Sequence, residues 1–240
     1  MEPHFEINTT NNRLLNLLSE GDRVVLGPHM RRVQMTPRQV VEEPDKPITR
    51  VYFPEDGVIS VVGASTMGDM EIGMIGKEGM TGAMIVFGND QTPMKSMVQV
   101  AGSAMVIDAP YLREAMTAKP AMRDLFLTYV QVFSIQIGQT AVANAAALLS
   151  QRLARWLLMC SDRLTSKNIP ITQEFLSIML GVKRDGVAVV LNELEERGLI
   201  QSRRRLISIV DRESLIELAD GTYGIAEEQY ERLLGTKKEV

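Results

Sequence analysis

The sequence predicts an α+β chain: an N-terminal antiparallel β-roll, a long helix, and a C-terminal winged helix-turn-helix. Three observations carry this. Short β-prone runs punctuated by Pro and Gly fill the stretch after Arg23, a helical pattern takes over from Ala109, and ITQEFLSIMLGVKRDGVAVVLNELEERGLI (171–200) has the spacing of two short helices across a glycine turn. The expected parts are 1–119 for the roll, 120–146 for the long helix and 147–240 for the winged helix-turn-helix.

Composition bounds what such a chain can be. With 240 residues and 45% hydrophobic content it can bury ordinary cores, as one large or two modest domains. Its formal charge of −4 argues against a generally basic coat, so contact with nucleic acid must come from clustered cations. The single cysteine, Cys160, excludes an intramolecular disulfide and a four-cysteine cluster or zinc site. Within the apolar run WLLMC it reads as a buried structural thiol. The N-terminus MEPHFEINTTNN is acidic where a signal peptide needs cations, and no apolar run approaches about 18 residues. A cytoplasmic protein with no membrane partner is expected.

Taken in order, Asn11 to Leu18 suits a short helix. The β-prone runs then follow: VVL at Val24, RRVQM at Arg31, QVV at Gln39, RVYF at Arg50, VISVV at Val58 and MEIGMI at Met70, with two more near Ser96–Val100 and Ala104–Asp108. Turns are marked by Thr36-Pro37, Pro44-Asp45-Lys46-Pro47, Pro54-Glu55-Asp56-Gly57, Gly68-Asp69 and Gly88-Asn89-Asp90.

Helical spacing begins at Ala109 and breaks at Lys119-Pro120, because a proline ring disfavours the helical conformation of the residue before it. The long helix after the break has two adjacent seams. Met122, Leu125, Tyr129, Val132, Gln136, Gln139 and Ala143 form one, and Phe126, Val130, Phe133, Ile137 and Thr140 the other. Two seams need two partners, so one should cover the roll and the other should meet a second copy. The pattern leaves open which row meets the second copy; Leu125, Tyr129, Val132, Gln136 and Gln139 are taken as the dimer contact, the glutamines favouring register at some cost in stability. A second helix carrying Leu148, Leu149, Leu153, Trp156, Leu157 and Cys160 leads to Thr165-Ser166-Lys167-Asn168, the best hinge candidate.

In the last third, Thr172 is placed to cap a helix that buries Phe175, Leu176 and Met179. Gly181 suits the turn, and Val187, Val190, Leu191 and Leu194 make the inner stripe of a second helix ending before Gly198. Lys183, Arg184, Asp185, Ala188, Val189 and Asn192 are left facing outward. Leu199–Val210 reads as a hairpin wing with Arg203, Arg204 and Arg205 at its tip. Two further short helices, 214–219 and 226–234, follow, and the last could pack on the winged helix-turn-helix.

GVKRDGVAVVLNELEERGLI, with the wing after it, resembles the C-terminal DNA-binding domain of the Crp/Fnr family of bacterial transcription regulators. The strand-rich region, VYFPEDGVISVV above all, resembles that family's cyclic-nucleotide-binding-like roll. The resemblance implies a homodimer on double-stranded DNA, its recognition helices entering successive major grooves, with RNA polymerase among a regulator's prospective partners. Arg184 is the first candidate for base readout, with Asp185, Ala188 and Val189 beside it; Val189 stands where cyclic-nucleotide-responsive members have arginine. Thr172, Gln173, Lys183, Arg203, Arg204 and Arg205 are assigned to phosphates.

The family's cyclic-nucleotide chemistry does not carry over. A Gly-Glu pair for the ribose and an Arg-Ser pair for the phosphate are wanted, yet no arginine occurs between Gly79 and Leu112, and Lys95-Ser96 is the nearest counterpart. Glu78-Gly79 has the wrong order. His4 and His29 are the only histidines for a haem, and no residue set suggests catalysis, so neither cofactor nor metal is expected, no enzyme is predicted and the effector stays unknown. The competing reading is a winged-helix dimer that docks protein and does not bind DNA.

Overall fold

The computed structural model describes residues 10–64 and 69–235. Its elements run α1 (Arg13–Asn16), α2 (Glu20–Leu26), β1 (Met30–Met35), β2 (Val40–Glu42), β3 (Arg50–Pro54), β4 (Val58–Gly63), β5 (Met70–Ile75), α3 (Ala83–Phe87), β6 (Lys95–Val100), β7 (Gly102–Asp108), α4 (Ala109–Ala118), α5 (Pro120–Ala146) and α6 (Leu149–Arg163). The C-terminal part adds β8 (Asn168–Ile169), α7 (Gln173–Leu180), α8 (Arg184–Glu196), β9 (Ile200–Arg203), β10 (Leu206–Ile209), α9 (Arg212–Ala219) and α10 (Ile225–Leu234). The first seven strands form two antiparallel sheets, ordered β1-β7-β3 and β2-β6-β4-β5, and the wing sheet is ordered β8-β10-β9.

One run expected as strand is a helix. VVL at Val24 lies in α2, because Ser19 accepts from the Asp22 N–H and caps that turn, leaving Val24 exposed while Leu26 is buried. The break at Pro120 is as expected: Lys119 takes φ −130° and ψ 82°, outside the helical region, and separates α4 from α5. α5 is 27 residues long and is apolar enough by length and composition to cross a membrane, which corrects the expectation that no stretch comes near. Its Met122, Phe126, Val130 and Phe133 are buried with the interior of the roll, the setting of a core helix.

β4 shows how the two halves join. Ile59 and Val61 point into the roll's core, whereas Val58 and Val62 belong, with Met74 and Val100, to a second core built mainly from α6, α7, α8 and α9. Both faces of the strand are therefore dry, and VISVV lacks the polar alternation of a sheet with one wet face. At this junction the Trp156 Nε1–H donates to Glu71 Oε1 at 3.0 Å, and the Ser60 hydroxyl donates to the same carboxyl. Burial pushes the Glu71 carboxyl up to about 7, against the pull of the Ser60 and Trp156 hydrogen bonds. Arg163 Nη2 sits 2.7 Å from Glu78 Oε1.

The hinge candidate is held rather than loose. Thr165 donates from its N–H and its hydroxyl to Asp56, at 3.1 and 2.9 Å, and Asn168–Ile169 is the third strand of the wing sheet. The tail also departs from expectation. α10 packs along α5, Tyr230 and Leu234 joining the roll's core instead of the winged helix-turn-helix.

That packing bears on the seam assigned to a second copy. Tyr129, Val132 and Gln136 are buried within the single chain, so they are not open to a partner; Leu125 and Gln139 are half-exposed. Gln136 has a job inside the protomer: its side-chain amide accepts from the Met74 N–H at 2.7 Å and donates to the Met74 carbonyl at 3.0 Å. It thereby satisfies the outer edge of β5, the last strand of its sheet. The open face of α5 instead carries Gln131, Ser134, Gly138, Ala141, Val142 and Ala145. Cys160 is fully buried, as read from its apolar run, and burial pushes its thiol up, away from the reactive thiolate.

Candidate nucleic-acid interface

Thr172 is extended, and its hydroxyl oxygen accepts from the Phe175 N–H at 3.1 Å, so α7 starts at the cap the sequence marks. Phe175, Leu176, Met179 and Leu180 are buried. Gly181 closes the helix in the left-handed region at φ 61°, and the Val182 N–H returns to the Ser177 carbonyl at 2.9 Å. A side chain at Gly181 would collide with Met70 of β5, its Cβ only 2.3 Å from the Met70 Cε.

Lys183 precedes α8 as its N-cap, and no side chain caps the helix's first N–H groups. That end therefore presents the positive pole of the helix outward, with Lys183 and Arg184 adding full charges and Asp185 partly offsetting them. Val187, Val190, Leu191 and Leu194 are buried, while Lys183, Arg184, Asp185 and Asn192 are exposed or half-exposed. Ala188 is half-buried and Val189 is 68% exposed, an unusual position for a β-branched side chain with no partner.

In the wing, Leu206 pairs with Arg203, which leaves Arg204 and Arg205 as a two-residue turn. Arg205 adopts φ 62°, a conformation rare outside glycine, and its carbonyl accepts from the Ile171 N–H at 3.1 Å. That bond brings the wing tip next to Thr172 and Gln173. Arg203, Arg204 and Arg205 are all exposed. Among the described residues, none of these three, nor Lys183 or Arg184, takes part in an ion pair.

Sequence reasoning missed the residues that hold this surface in place. Arg152 donates to the Asn144 Oδ1 at 3.1 Å and to the Leu180 carbonyl, and Asn144 in turn lies 3.4 Å from the Met70 sulfur. Burial lowers the Arg152 guanidinium from its ordinary value. A basic residue in an apolar α6 was the signal available, but its partners lie on α5 and α7 and only folding brings them together.

The roll holds a cavity of about 340 Å³ between its sheets and α5, lined by Ile48, Val61, Ile72, Met80, Phe133 and others, with Glu42 its one ionisable group. The Glu42 carboxylate accepts from the Gly82 N–H at 2.6 Å and from the Ser96 hydroxyl, and burial raises it above the usual carboxylate range. Lys95 turns instead to Asp69, at 2.6 Å. His29 is exposed and stacks on Tyr111 with ring centroids 4.2 Å apart, while His4 lies outside the described residues.

Residues 151–218 match the family of Crp-like helix-turn-helix domains. This part of the chain is a Crp-like domain. No curated protein matches the chain. Among solved structures it is similar to a putative transcriptional regulator of the Crp/Fnr family from Eubacterium rectale, at 15% identity and TM-score 0.66, covering 86% of this chain and 97% of that one. It is also similar to a CRP-family transcriptional regulator from Thermus thermophilus (15% identity, TM-score 0.65, 78% and 96% covered). A third is CLP, the c-di-GMP-responsive global regulator of Xanthomonas campestris (17% identity, TM-score 0.64, 80% and 99% covered). At these identities the likeness is one of fold: roll, long helix and Crp-like domain in the order the sequence predicts.

Proposed function

We propose that the chain is a sequence-specific, DNA-binding transcription regulator that works as a homodimer on an inverted repeat without cyclic AMP. The observation that carries this is the set of five outward-facing cations with no ion pair, Lys183, Arg184 and the three wing arginines, on a chain whose formal charge is −4. Exposed cations in no ion pair occur elsewhere too, as at Arg38, Arg123 and Lys167, but these five converge on one helix N-terminus and one hairpin tip. A duplex with phosphates on both sides of a major groove fits that arrangement.

In this reading Arg184 bonds guanine O6 and N7, Asp185 accepts from a cytosine amino group or orients Arg184, and Val189 with Ala188 meets a thymine methyl. Lys183, Gln173, Arg203, Arg204 and Arg205 hold phosphates, and Thr172, its oxygen already occupied as a cap, keeps its hydroxyl proton for one. The second copy is assigned to the open face of α5, where Gly138 has nothing within 4 Å of a would-be Cβ and small side chains permit close approach. Residues 1–119, 120–146 and 147–240 then act as sensor, dimer helix and DNA-binding part, in the compartment that holds the DNA.

Independence from cyclic AMP is supported by Glu42. Its carboxylate already takes the Ser96 hydroxyl and the Gly82 N–H, donors a phosphate would need, and no arginine lines the cavity to grip one. Selection of bound fragments from random duplex DNA by the purified protein, across a salt series, tests the reading. The expected product is an inverted repeat with half-site centres about 34–36 Å apart, lost steeply as salt rises. A monomer in solution, or no enrichment at low salt, overturns it and leaves protein docking.

A further inference from the structure

Where β4, β5 and β6 meet α6, the buried side chains of Trp156, Glu71, Ser60 and Gln99 form one hydrogen-bonded chain. Gln99 reaches it through a bulge. Val58 pairs with Val100 and Ile59 with Val98, so Gln99 is the extra residue of β6 and its side chain turns to Ser60. The Trp156 Nε1–H donates to Glu71 Oε1, and the Ser60 oxygen lies against both Glu71 Oε2 and Gln99 Oε1.

The protons on this chain admit two arrangements. Ser60 lies between two acceptor oxygens, and its hydroxyl has a single proton to give. With Glu71 protonated, the carboxyl donates to Ser60, Ser60 donates to the Gln99 carbonyl oxygen, and every oxygen is satisfied. With Glu71 ionised, Ser60 donates to the carboxylate, and the Gln99 oxygen faces the Ser60 oxygen with no proton between them. The Gln99 amide must then turn over and offer Nε2, the end that has no partner when Oε1 faces Ser60.

The surroundings favour the protonated arrangement. Among the described residues no cation is in an ion pair with Glu71. The cations that act on it, Arg155 and Arg163, both come from α6 and are engaged elsewhere, Arg155 with the Thr222 carbonyl at 2.8 Å and Arg163 with Glu78 at 2.7 Å. Burial keeps Cys160, also on α6, neutral, and β4 and β6 bring the uncharged Ser60 and Gln99.

The geometry points to a proton switch at this junction: ionising Glu71 reverses the order of donors from Glu71 to Gln99, and Trp156 passes the change to α6, so that the contact between the roll and the Crp-like domain responds to pH. The acid form is the tighter one, because the ionised form leaves a charge without a counter-ion between two apolar cores. The switch does not depend on the DNA-binding reading, and its test uses no DNA.

Trp156 is the chain's single tryptophan, so the intrinsic fluorescence of the folded, full-length protein reads the junction directly. Its emission is expected to follow a one-proton titration with a midpoint of about 7. The side-chain amide protons of Gln99, assigned by NMR from their absence in Gln99→Met, should shift with the same midpoint. Glu71→Gln mimics the protonated form, its amide accepting from Trp156 and donating to Ser60, and should abolish both responses. Ser60→Ala takes a donor from the carboxylate and should raise the fluorescence midpoint by about one unit. No response in the wild type, a response that survives Glu71→Gln, or Gln99 signals that stay fixed while Trp156 titrates overturns the switch. If Glu71→Gln does not fold, as read from its melting curve, the agreement of the two wild-type midpoints and the Ser60→Ala shift decide.

Discussion

The junction between the roll and the Crp-like domain and the outer surface of that domain treat charge in opposite ways. At the junction Glu71 is bonded to Trp156 and Ser60, and Arg163 to Glu78. On the outer surface Lys183, Arg184 and the wing arginines face solvent and are in no ion pair. Burial enforces the first pattern, since an unmatched charge out of water costs several kcal/mol. Water tolerates the second, and the proposed function assigns those cations to a duplex. Substitutions should therefore separate cleanly: junction changes cost stability and surface changes cost DNA binding.

The largest effect is expected at the junction. Trp156→Ala empties a buried site and leaves Glu71 short of a donor, so chemical denaturation should show a loss of about 3–5 kcal/mol. An unchanged stability would mean the two halves are not coupled through this contact.

Glu71 should make that coupling depend on pH. Its folded-state value, raised from 4.5 to about 7, means folding takes up a proton between those values. The associated stability is complete below about pH 4.5 and is lost as pH rises through about 7, a change on the order of 3 kcal/mol at about 1.4 per unit. Melting temperatures from pH 5 to 8 should fall for the wild type and fall less for Glu71→Gln, whose amide does not titrate. Parallel curves for the two proteins would remove Glu71 as the cause.

On the outer surface, Arg184→Ala should leave the melting temperature in place and relax the preference at one base pair by about 1–3 kcal/mol. Equal weakening on specific and random duplexes would take Arg184 out of base readout. Arg204→Ala should do the smaller thing: weaken all sequences alike and reduce the slope of log affinity against log salt by about one. A change in sequence preference would instead move the wing into the reading of bases.

The two regions also differ in how much of them could be read before folding. The cap at Thr172, the turn at Gly181, the inner stripe of α8 and the arginine tip follow from spacing alone, because neighbours along a helix or hairpin are fixed by its own geometry. VVL at Val24 misled because the Ser19 cap outweighs the strand preference of two valines. The α5 seam misled for another reason. Tyr129, Val132 and Gln136 have the period of an exposed contact row, but α10 and the edge of β5 cover them first, and both lie far away in sequence. VISVV, apolar except for Ser60, did carry the sign of a strand dry on both faces; which element covers its outer face was not in the run itself.

By itself the sequence determined the order of parts, the Thr172 cap and the Gly181 turn of the Crp-like domain, the cations that face outward, and the absence of an arginine between Gly79 and Leu112. These depend on residue type and local spacing. Only the tertiary structure decided that Glu42 occupies Ser96 and Gly82, that Gln136 seals β5, and that α10 returns to α5. Each is a contact between segments remote along the chain, fixed by which surfaces exclude water together, and no local pattern encodes that choice.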